Sequence, residues 1–486
     1  MIETGVPASK ARPQTFHRFT YLLGGGQLVA LEQKVALIGT MFGPSGFGAA
    51  EFPHEITSPE QAYALFGVGS EITLMVRAAF ATQRLIGRGP RIVAIGLEEP
   101  SGAAATYTIT LGGTATESGN FRVRVAGRSY KIGVKVGDAA ADVAAALELM
   151  LDRFAEELPV TADTVGSVCT LTWNHKGENG NGLRIDIDGI PKGLTAVAAA
   201  GVAGSGSVDL VAGLDALAGV DVDGIAVANH TVGDIEDLLE HITASWDAAA
   251  KRWRWAGVAD TTSLASATTL AEAANDRGIV VASYEGSPSL PGEIATAVMV
   301  AGFSATRPNA TFNRKRIPVY PPSLAVAYDD LEVEAGIAAG LTVLTPVTSG
   351  RSVLGNVSKI ERLITTKTTQ DDQPFTVLRD IGVSKTGAYY ARQLDAAYER
   401  KFGPDANPDG VLLTDDADDR LADMIATIAY DMQAAHILRN VDADLGELAI
   451  EEEDEVPERF NVDLSYTVVV GLHQVAYNHR VKIGVR

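Results

Sequence analysis

Two stretches near the end of the printed chain alternate between apolar and polar residues. In Glu458–Val470 the apolar residues Val462, Leu464, Tyr466 and Val468 fall at every second position, and Arg480–Arg486 repeats the pattern. A period of two indicates a strand with one buried and one solvated face. A strand at 480–486 would lie at a sheet edge, or would pair with a neighbouring subunit.

We expect the second outcome to place Val481, Lys482, Ile483 and Val485 in an interface between subunits. The alternative stays open, because a charged residue such as Lys482 is also what protects an exposed strand edge from unwanted pairing.

The N-terminal part predicts alternating strands and helices. Val35–Ile38 and Arg91–Ile95 are short apolar runs typical of buried strands, and Ser58-Pro59 is a favourable helix start. The helical pattern continues to Leu85. This β–α–β order indicates a parallel sheet.

The pattern changes to alternating strands at about residue 100 and returns to buried strands after residue 207. We therefore predict a multidomain protein of mixed α/β and α+β class, in which a discontinuous α/β domain carries an inserted β-rich domain. A C-terminal α+β domain with terminal arms for strand exchange follows. The predicted boundaries are 1–26 for an N-terminal arm, 27–99 with 208–344 for the α/β domain, 100–207 for the insert, 345–478 for the C-terminal domain and 479–486 for a strand arm.

Within the second α/β part, the spacing of Ile235, Leu238 and Ile242 predicts a helix with Asp234 as its cap. The first 26 residues show neither the helical period nor the alternation of a strand, and such a segment does not bury itself. It is either a disordered tail or an extended piece that docks on another surface, and its aromatic residues Phe16, Phe19 and Tyr21 favour docking.

Composition excludes several functions. The net charge of -21 argues against wrapping nucleic acid, because that affinity comes from basic residues. The single cysteine, Cys169, allows neither an internal disulfide nor a cysteine-based zinc site. No apolar run is long enough to span a bilayer, and no signal peptide is recognisable, so we predict no membrane insertion.

No catalytic, cofactor-binding or metal-binding residues are predicted. Gly43–Gly48 is glycine-rich but lacks the lysine of a phosphate loop. Asp405–Asp416 resembles a calcium loop, yet its last position is aspartate instead of the usual bidentate glutamate. The basic run Asn313–Arg316 is either a solvated loop or a contact with an acidic patch on another copy.

Taken in order, these features resemble the tail sheath proteins of contractile-tailed phages, particularly the Mu-like branch. The resemblance covers nearly the full length and no single motif is diagnostic. It rests on these segments: Gln33–Gly39, Ser58–Ser70, Val125–Gly127, Leu158–Ala162, Lys176–Asn181 and Gly471–Val475.

The resemblance implies a structural subunit without enzymatic activity that forms stacked rings around a tail tube and shares arm strands with its neighbours. It further implies that the sheath contracts. The partners that it implies are other copies of the chain, the tube protein, and the baseplate and tail terminator proteins. The expected location is the virion tail after assembly in a bacterial cytoplasm. The alternative is a metabolite- or nucleotide-binding α/β enzyme with an inserted domain.

Overall fold

The computed structural model describes residues 28, 33–43, 48–349, 352–403, 405, 417–453 and 459–470. The chain divides into two compact units, of which one contains Leu31–Ala388 and the other contains Tyr389–Val469.

The first unit begins with the predicted β–α–β segment. Ser58 caps the first helix, because its side chain accepts a hydrogen bond from the backbone N–H of Gln61, and Pro59 occupies the first turn. The elements are β1 (Lys34–Thr40), β2 (His54–Ile56), α1 (Pro59–Phe66), α2 (Glu71–Ile86) and β3 (Arg91–Leu97).

The inserted part contains two antiparallel sheets that enclose one apolar core with a helix. Its elements are β4 (Ala104–Gly113), β5 (Gly119–Val125), β6 (Arg128–Val134), α3 (Ala140–Asp152), β7 (Val160–Val165), β8 (Val168–Lys176), β9 (Ile185–Asp188) and β10 (Leu194–Ala200), with short 3-10 helices at Ala155–Glu157 and Glu178–Gly182. The strand orders of the two sheets are β10-β4-β8-β7 and β6-β5-β9.

The entry and exit segments of the insert lie side by side. The backbone N–H of Ser205 donates to the carbonyl oxygen of Ala103 at 3.0 Å. Gly102 has a φ of +143°, and a Cβ placed there would lie 2.0 Å from the carbonyl oxygen of Ser205. Only glycine fits this approach.

The α/β part then resumes with α4 (Leu210–Asp215), β11 (Gly224–Val227), α5 (Val232–Ser245), β12 (Trp255–Asp260), α6 (Leu264–Ala274), β13 (Ile279–Ser283), α7 (Pro291–Gly302), β14 (Lys315–Ile317), α8 (Asp330–Ala338), β15 (Leu341–Ser349), β16 (Ser352–Ile360), β17 (Thr369–Gln370) and β18 (Gln373–Pro374).

One nine-stranded sheet joins strands from both sides of the insert, in the order β14-β16-β15-β13-β12-β11-β1-β3-β2. Its central strands are parallel and buried on both faces. Val35 and Leu37 point into one apolar core while Ala36 and Ile38 point into the other. This explains why these strands read as continuous apolar runs.

The second unit contains most of α9 (Ile381–Phe402), then α10 (Ala417–Ala434), β19 (Leu438–Arg439), α11 (Val441–Leu445), β20 (Ala449–Glu452), β21 (Phe460–Asp463) and β22 (Thr467–Val468). As the helical spacing predicts, α10 buries Met424, Ile425, Ile428 and Met432. The strands form two separate two-stranded antiparallel sheets, β19–β22 and β20–β21.

Three sequence predictions need correction. The cap of α5 is Thr231 instead of Asp234, because the helix begins at Val232; the Asp234 carboxylate accepts from the backbone N–H of Thr231 at 2.9 Å in a capping box. The predicted boundary at residue 344 falls inside β15, which pairs with β13 and so continues the sheet.

The predicted strand Glu458–Val470 is interrupted. Phe460–Asp463 pairs with β20, whereas Thr467 pairs with β19 and donates its backbone N–H to Asp444 Oδ2 at 2.7 Å. The chain therefore changes partners between residues 463 and 467.

Candidate functional site

The nine-stranded sheet has a topological switch point between β1 and β11. The two strands are parallel neighbours. The chain that follows β1 leads into α2 against one core, and the chain that follows β11 leads into α5 against the other. In open α/β sheets, the crevice outside the carboxyl ends of such strands is where ligands bind. Here that position lies next to Thr40 and Asn229.

A buried carboxylate occupies this position. Glu71 is the first residue of α2, where the positive end of the helix dipole favours a negative charge. One of its oxygens accepts from both the backbone N–H (3.2 Å) and the hydroxyl (3.0 Å) of Thr40 at the end of β1.

The inserted domain supplies the side chain that fills the crevice. Asn179 lies in the 3-10 helix Glu178–Gly182, and its amide donates to both Glu71 oxygens at 3.1 and 3.2 Å. The same amide lies 3.4 Å from Asn229 Oδ1. Asn229 in turn contacts Asp234 Oδ1 at 3.4 Å. These contacts join the insert to both strands of the switch point.

A histidine on β8 completes the cluster. His175 is buried, and its Nε2 accepts from the backbone N–H of Glu71 at 3.2 Å. Its Nδ1 lies 2.9 Å from Glu99 Oε1, which assigns the proton to Nδ1. The hydrogen bond from His175 lowers the pKa of Glu99. Because Nε2 is already occupied by a backbone N–H, this histidine–carboxylate pair holds the insert in position and leaves no lone pair for a base.

A second charged contact crosses the same boundary. Arg128 at the start of β6 forms an ion pair with Glu293 in the first turn of α7, with 2.5 Å between Nη2 and Oε1. Although burial opposes the charged form, Glu293 raises the pKa of Arg128. The pair borders a cavity of about 220 Å³ that Arg77, Glu157 and Tyr320 also line. Arg77 is paired with Glu157 at 2.9 Å, so each arginine has a carboxylate partner.

The second unit contains surfaces that its own described residues leave uncovered. The two-stranded sheets comprise strands of two and four residues. Val462 is 39% exposed and Tyr466 is 42% exposed, although the alternating pattern predicts that both are buried. The apolar face predicted for residues 458–470 is therefore present, but these two of its side chains are partly exposed.

The residues predicted for contacts between subunits lie outside the described residues: Phe16, Phe19, Tyr21, Val481, Lys482, Ile483 and Val485. Most of the calcium-like turn 405–416 and the centre of Gly43–Gly48 lie outside them too. Within the part of the chain that the structure describes, no group of three His, Cys, Asp or Glu side chains is arranged to hold a metal ion. Its helices are all too short or too polar to cross a membrane.

Sequence reasoning missed the Glu71 cluster. A local signal exists at its helix start, because Ser70 followed by Glu71 is a typical N-cap and first turn. The polar turn around Asn179 reads only as a loop. Nothing local connects two residues that are 108 positions apart.

Comparison with known proteins finds a curated relative and solved structures of similar fold. No family model matches the chain. Over 356 residues the sequence is 28% identical to the Mu-like prophage FluMu tail sheath protein of Haemophilus influenzae, covering 70% of each chain.

The fold is similar to the crystal structure of a sheath tail protein from Desulfitobacterium hafniense, with a TM-score of 0.52, 13% identity and coverage of 94% of this chain and 96% of that chain. A sheath tail protein from Listeria innocua gives a TM-score of 0.53 at 16% identity, with 91% and 93% covered. At these identities the similarity establishes a common fold.

Proposed function

This chain is a homologue of a Mu-like prophage tail sheath protein, and on that premise we propose that it is a structural subunit of a contractile tail sheath. Copies polymerise in stacked rings around a tail tube, and contraction of the sheath drives the tube through a cell envelope. The partners are other copies, the tube, and the baseplate and terminator proteins at the two ends. The sheath is part of the virion, is assembled in the host cytoplasm, and works without a cofactor or enzymatic activity.

The observation that carries this proposal is the incomplete sheet structure of Tyr389–Val469. A two-stranded sheet is marginal in water and normally requires a further strand or a covering layer. The β20–β21 pair exposes most of its residues, and β19–β22 is two residues long. Strands from neighbouring copies would complete these sheets by β-strand addition.

The added strands are the arms predicted from the sequence. Val481, Ile483 and Val485 form the apolar face of one arm, while Phe16, Phe19 and Tyr21 belong to the other. Burying each valine or isoleucine contributes roughly 1.5–3 kcal/mol. Three such side chains at every junction, together with the backbone hydrogen bonds, link the subunits into a mesh that persists while whole domains move during contraction.

Deletion of residues 480–486 tests the shared strand. We expect the truncated chain to remain folded and to form no tubes or rings by negative-stain microscopy. Two point variants provide a matched comparison, because Ile483→Asp and Lys482→Asp each introduce an aspartate on opposite faces of the strand. Ile483→Asp should block assembly and Lys482→Asp should permit it. Normal assembly of the truncated chain contradicts the proposal, and loss of folding favours a strand paired within its own domain.

The occupied switch point counts against the alternative of a ligand-binding α/β enzyme. The position where such an enzyme would bind its ligand is filled by Asn179, and the Glu71 carboxylate that it contacts has its hydrogen bonds satisfied from both domains. A nucleotide or metabolite that raises the melting temperature of the purified chain at micromolar concentration would reverse this judgement.

A further inference from the structure

A basic surface stands out at one edge of the nine-stranded sheet. β14 is the edge strand, and its three residues are Lys-Arg-Ile. Arg314, directly before it, and Arg316 are exposed. Within the described ranges, neither arginine forms an ion pair with another residue. In a chain with a net charge of -21, such a cluster of cations at one place is unusual.

The surroundings of β14 increase its positive charge. Arg316 lies directly opposite Lys359 in the β14–β16 register, and like charges at such positions repel. Arg88 lies near enough to Lys315 that burial and this arginine together lower the pKa of the lysine. Glu361 is paired with Lys359 at 2.6 Å and also interacts electrostatically with Arg314, so one carboxylate is shared between two cations. The cluster therefore keeps a net positive charge that an anionic surface would offset.

Backbone geometry holds one of these arginines in place. Arg314 has a φ of +56°, which an L-residue adopts at a cost, and its backbone N–H donates to the carbonyl oxygen of Ile360 at 2.7 Å. The side chain is thus projected outward by a fixed main chain. We call Arg314, Arg316 and Lys359 the basic edge.

An acidic surface of matching dimensions lies on the second unit. In the β20–β21 register, Ala449 pairs with Asp463 and Glu451 pairs with Asn461, so Glu451 and Asp463 lie diagonally on one face. Diagonal neighbours are about 7–8 Å apart. Arg314 in the turn and Arg316 in the strand are two residues apart, so their Cα atoms are at most about 7 Å apart, and two arginine side chains at this spacing can reach both carboxylates. Glu451 and Asp463 are exposed, and no ion pair with them occurs in the described residues.

We propose that the basic edge of one copy binds the acidic face formed by Glu451 and Asp463 of a second copy. The contact gives negatively charged subunits an attractive surface that their overall charge opposes, and it sets which faces meet. It is distinct from strand addition, because short charged edge strands resist backbone pairing. The assembled state in which it acts rests on the proposed function.

A charge-swap experiment tests the contact and its location. Variant X carries Arg314→Glu and Arg316→Glu, and variant Y carries Glu451→Lys and Asp463→Lys. Each alone should need about tenfold more protein than the wild type to assemble, which corresponds to two exposed ion pairs. An equal mixture of X and Y should assemble at the wild-type concentration, because each chain then offers the charge that the other needs.

The control variant Lys131→Glu/Lys135→Glu changes the net charge by the same amount as X, on exposed lysines of the insert, and it should assemble as the wild type does. Circular dichroism and melting temperature establish that all variants fold. The effect of X should also shrink at high salt, because exposed charges are screened.

Several outcomes would overturn the proposal. Normal assembly of X means that the basic residues only protect the edge. Recovery in a single chain that carries all four substitutions, but not in the mixture, places the contact within one chain. A wild-type chain that never assembles contradicts the proposed function instead. In that case the association of the two surfaces is measured by sedimentation, and X and Y must associate with each other more strongly than X with itself or Y with itself.

Discussion

Removing one partner of the Arg128–Glu293 ion pair should destabilise the protein strongly. The side chains are only 11% and 7% exposed, and they connect the insert to α7. In Arg128→Met the Glu293 carboxylate stays buried without its cation, a change that costs about 3–5 kcal/mol. Glu293 still accepts from the backbone N–H of Leu290 at 3.3 Å, so we take about 3 kcal/mol.

The assay is urea unfolding followed by tryptophan fluorescence. With a denaturant slope of roughly 3 kcal/mol/M, a loss of about 3 kcal/mol lowers the midpoint by about 1 M. The double variant Arg128→Met/Glu293→Gln should recover most of the loss, because no buried charge remains and the glutamine oxygen still caps α7.

A matched substitution on the surface provides the control. Lys192 forms an ion pair with Glu117 and is 74% exposed, so Lys192→Met should cost at most about 1 kcal/mol. If Arg128→Met is no more destabilising than Lys192→Met, the buried Glu293 carboxylate does not depend on its cation. The same conclusion follows if the effects of the two substitutions at Arg128 and Glu293 simply add.

Three further predictions concern other parts of the chain. Burial first, and then the neighbouring Arg254, lower the pKa of His241 from 6.5 to about 4. Between these pH values the unfolded state therefore binds a proton that the folded state does not. The free energy of unfolding should fall by at most about 3 kcal/mol between pH 6.5 and 4. In urea titrations, His241→Gln should remove that pH dependence. Gly102→Ala should lower the melting temperature through its clash with Ser205, whereas Gly137→Ala, where nothing lies nearby, should show only the strain of a positive φ. Calorimetry should detect no tight, stoichiometric calcium binding by the 405–416 turn, and such binding would contradict the sequence argument.

The sequence predicted those elements whose pattern of apolar and polar residues follows from one kind of surroundings along their whole length. β1, β3, β11 and β13 are apolar except at their ends, because helices cover both faces of the sheet. β10 escaped prediction, since Leu194–Ala200 is rich in alanine, which favours helices. It is a strand because it pairs with β4 over its whole length, and tertiary pairing overrides local preference.

The candidate site was less accessible to sequence reasoning. The contact between Asn179 and Glu71 depends on where an inserted domain returns to the sheet, which no local pattern records. The order of the strands around β1 fixes the switch point, and this order too emerges only when the sheet is assembled.

The two attachments of the insert have a mechanical consequence. The paired segments at Ala103 and Ser205 alone would act as a hinge about which the insert could swing. Asn179 binds Glu71 close to these segments, because the backbone N–H of the adjacent Glu178 donates to the carbonyl oxygen of Gly206 at 3.2 Å, and Arg128 on Glu293 attaches the insert at a further point. A torque applied to the insert would therefore reach α7 through Glu293 and the end of β1 through Glu71 and Thr40, so the insert would turn together with the sheet.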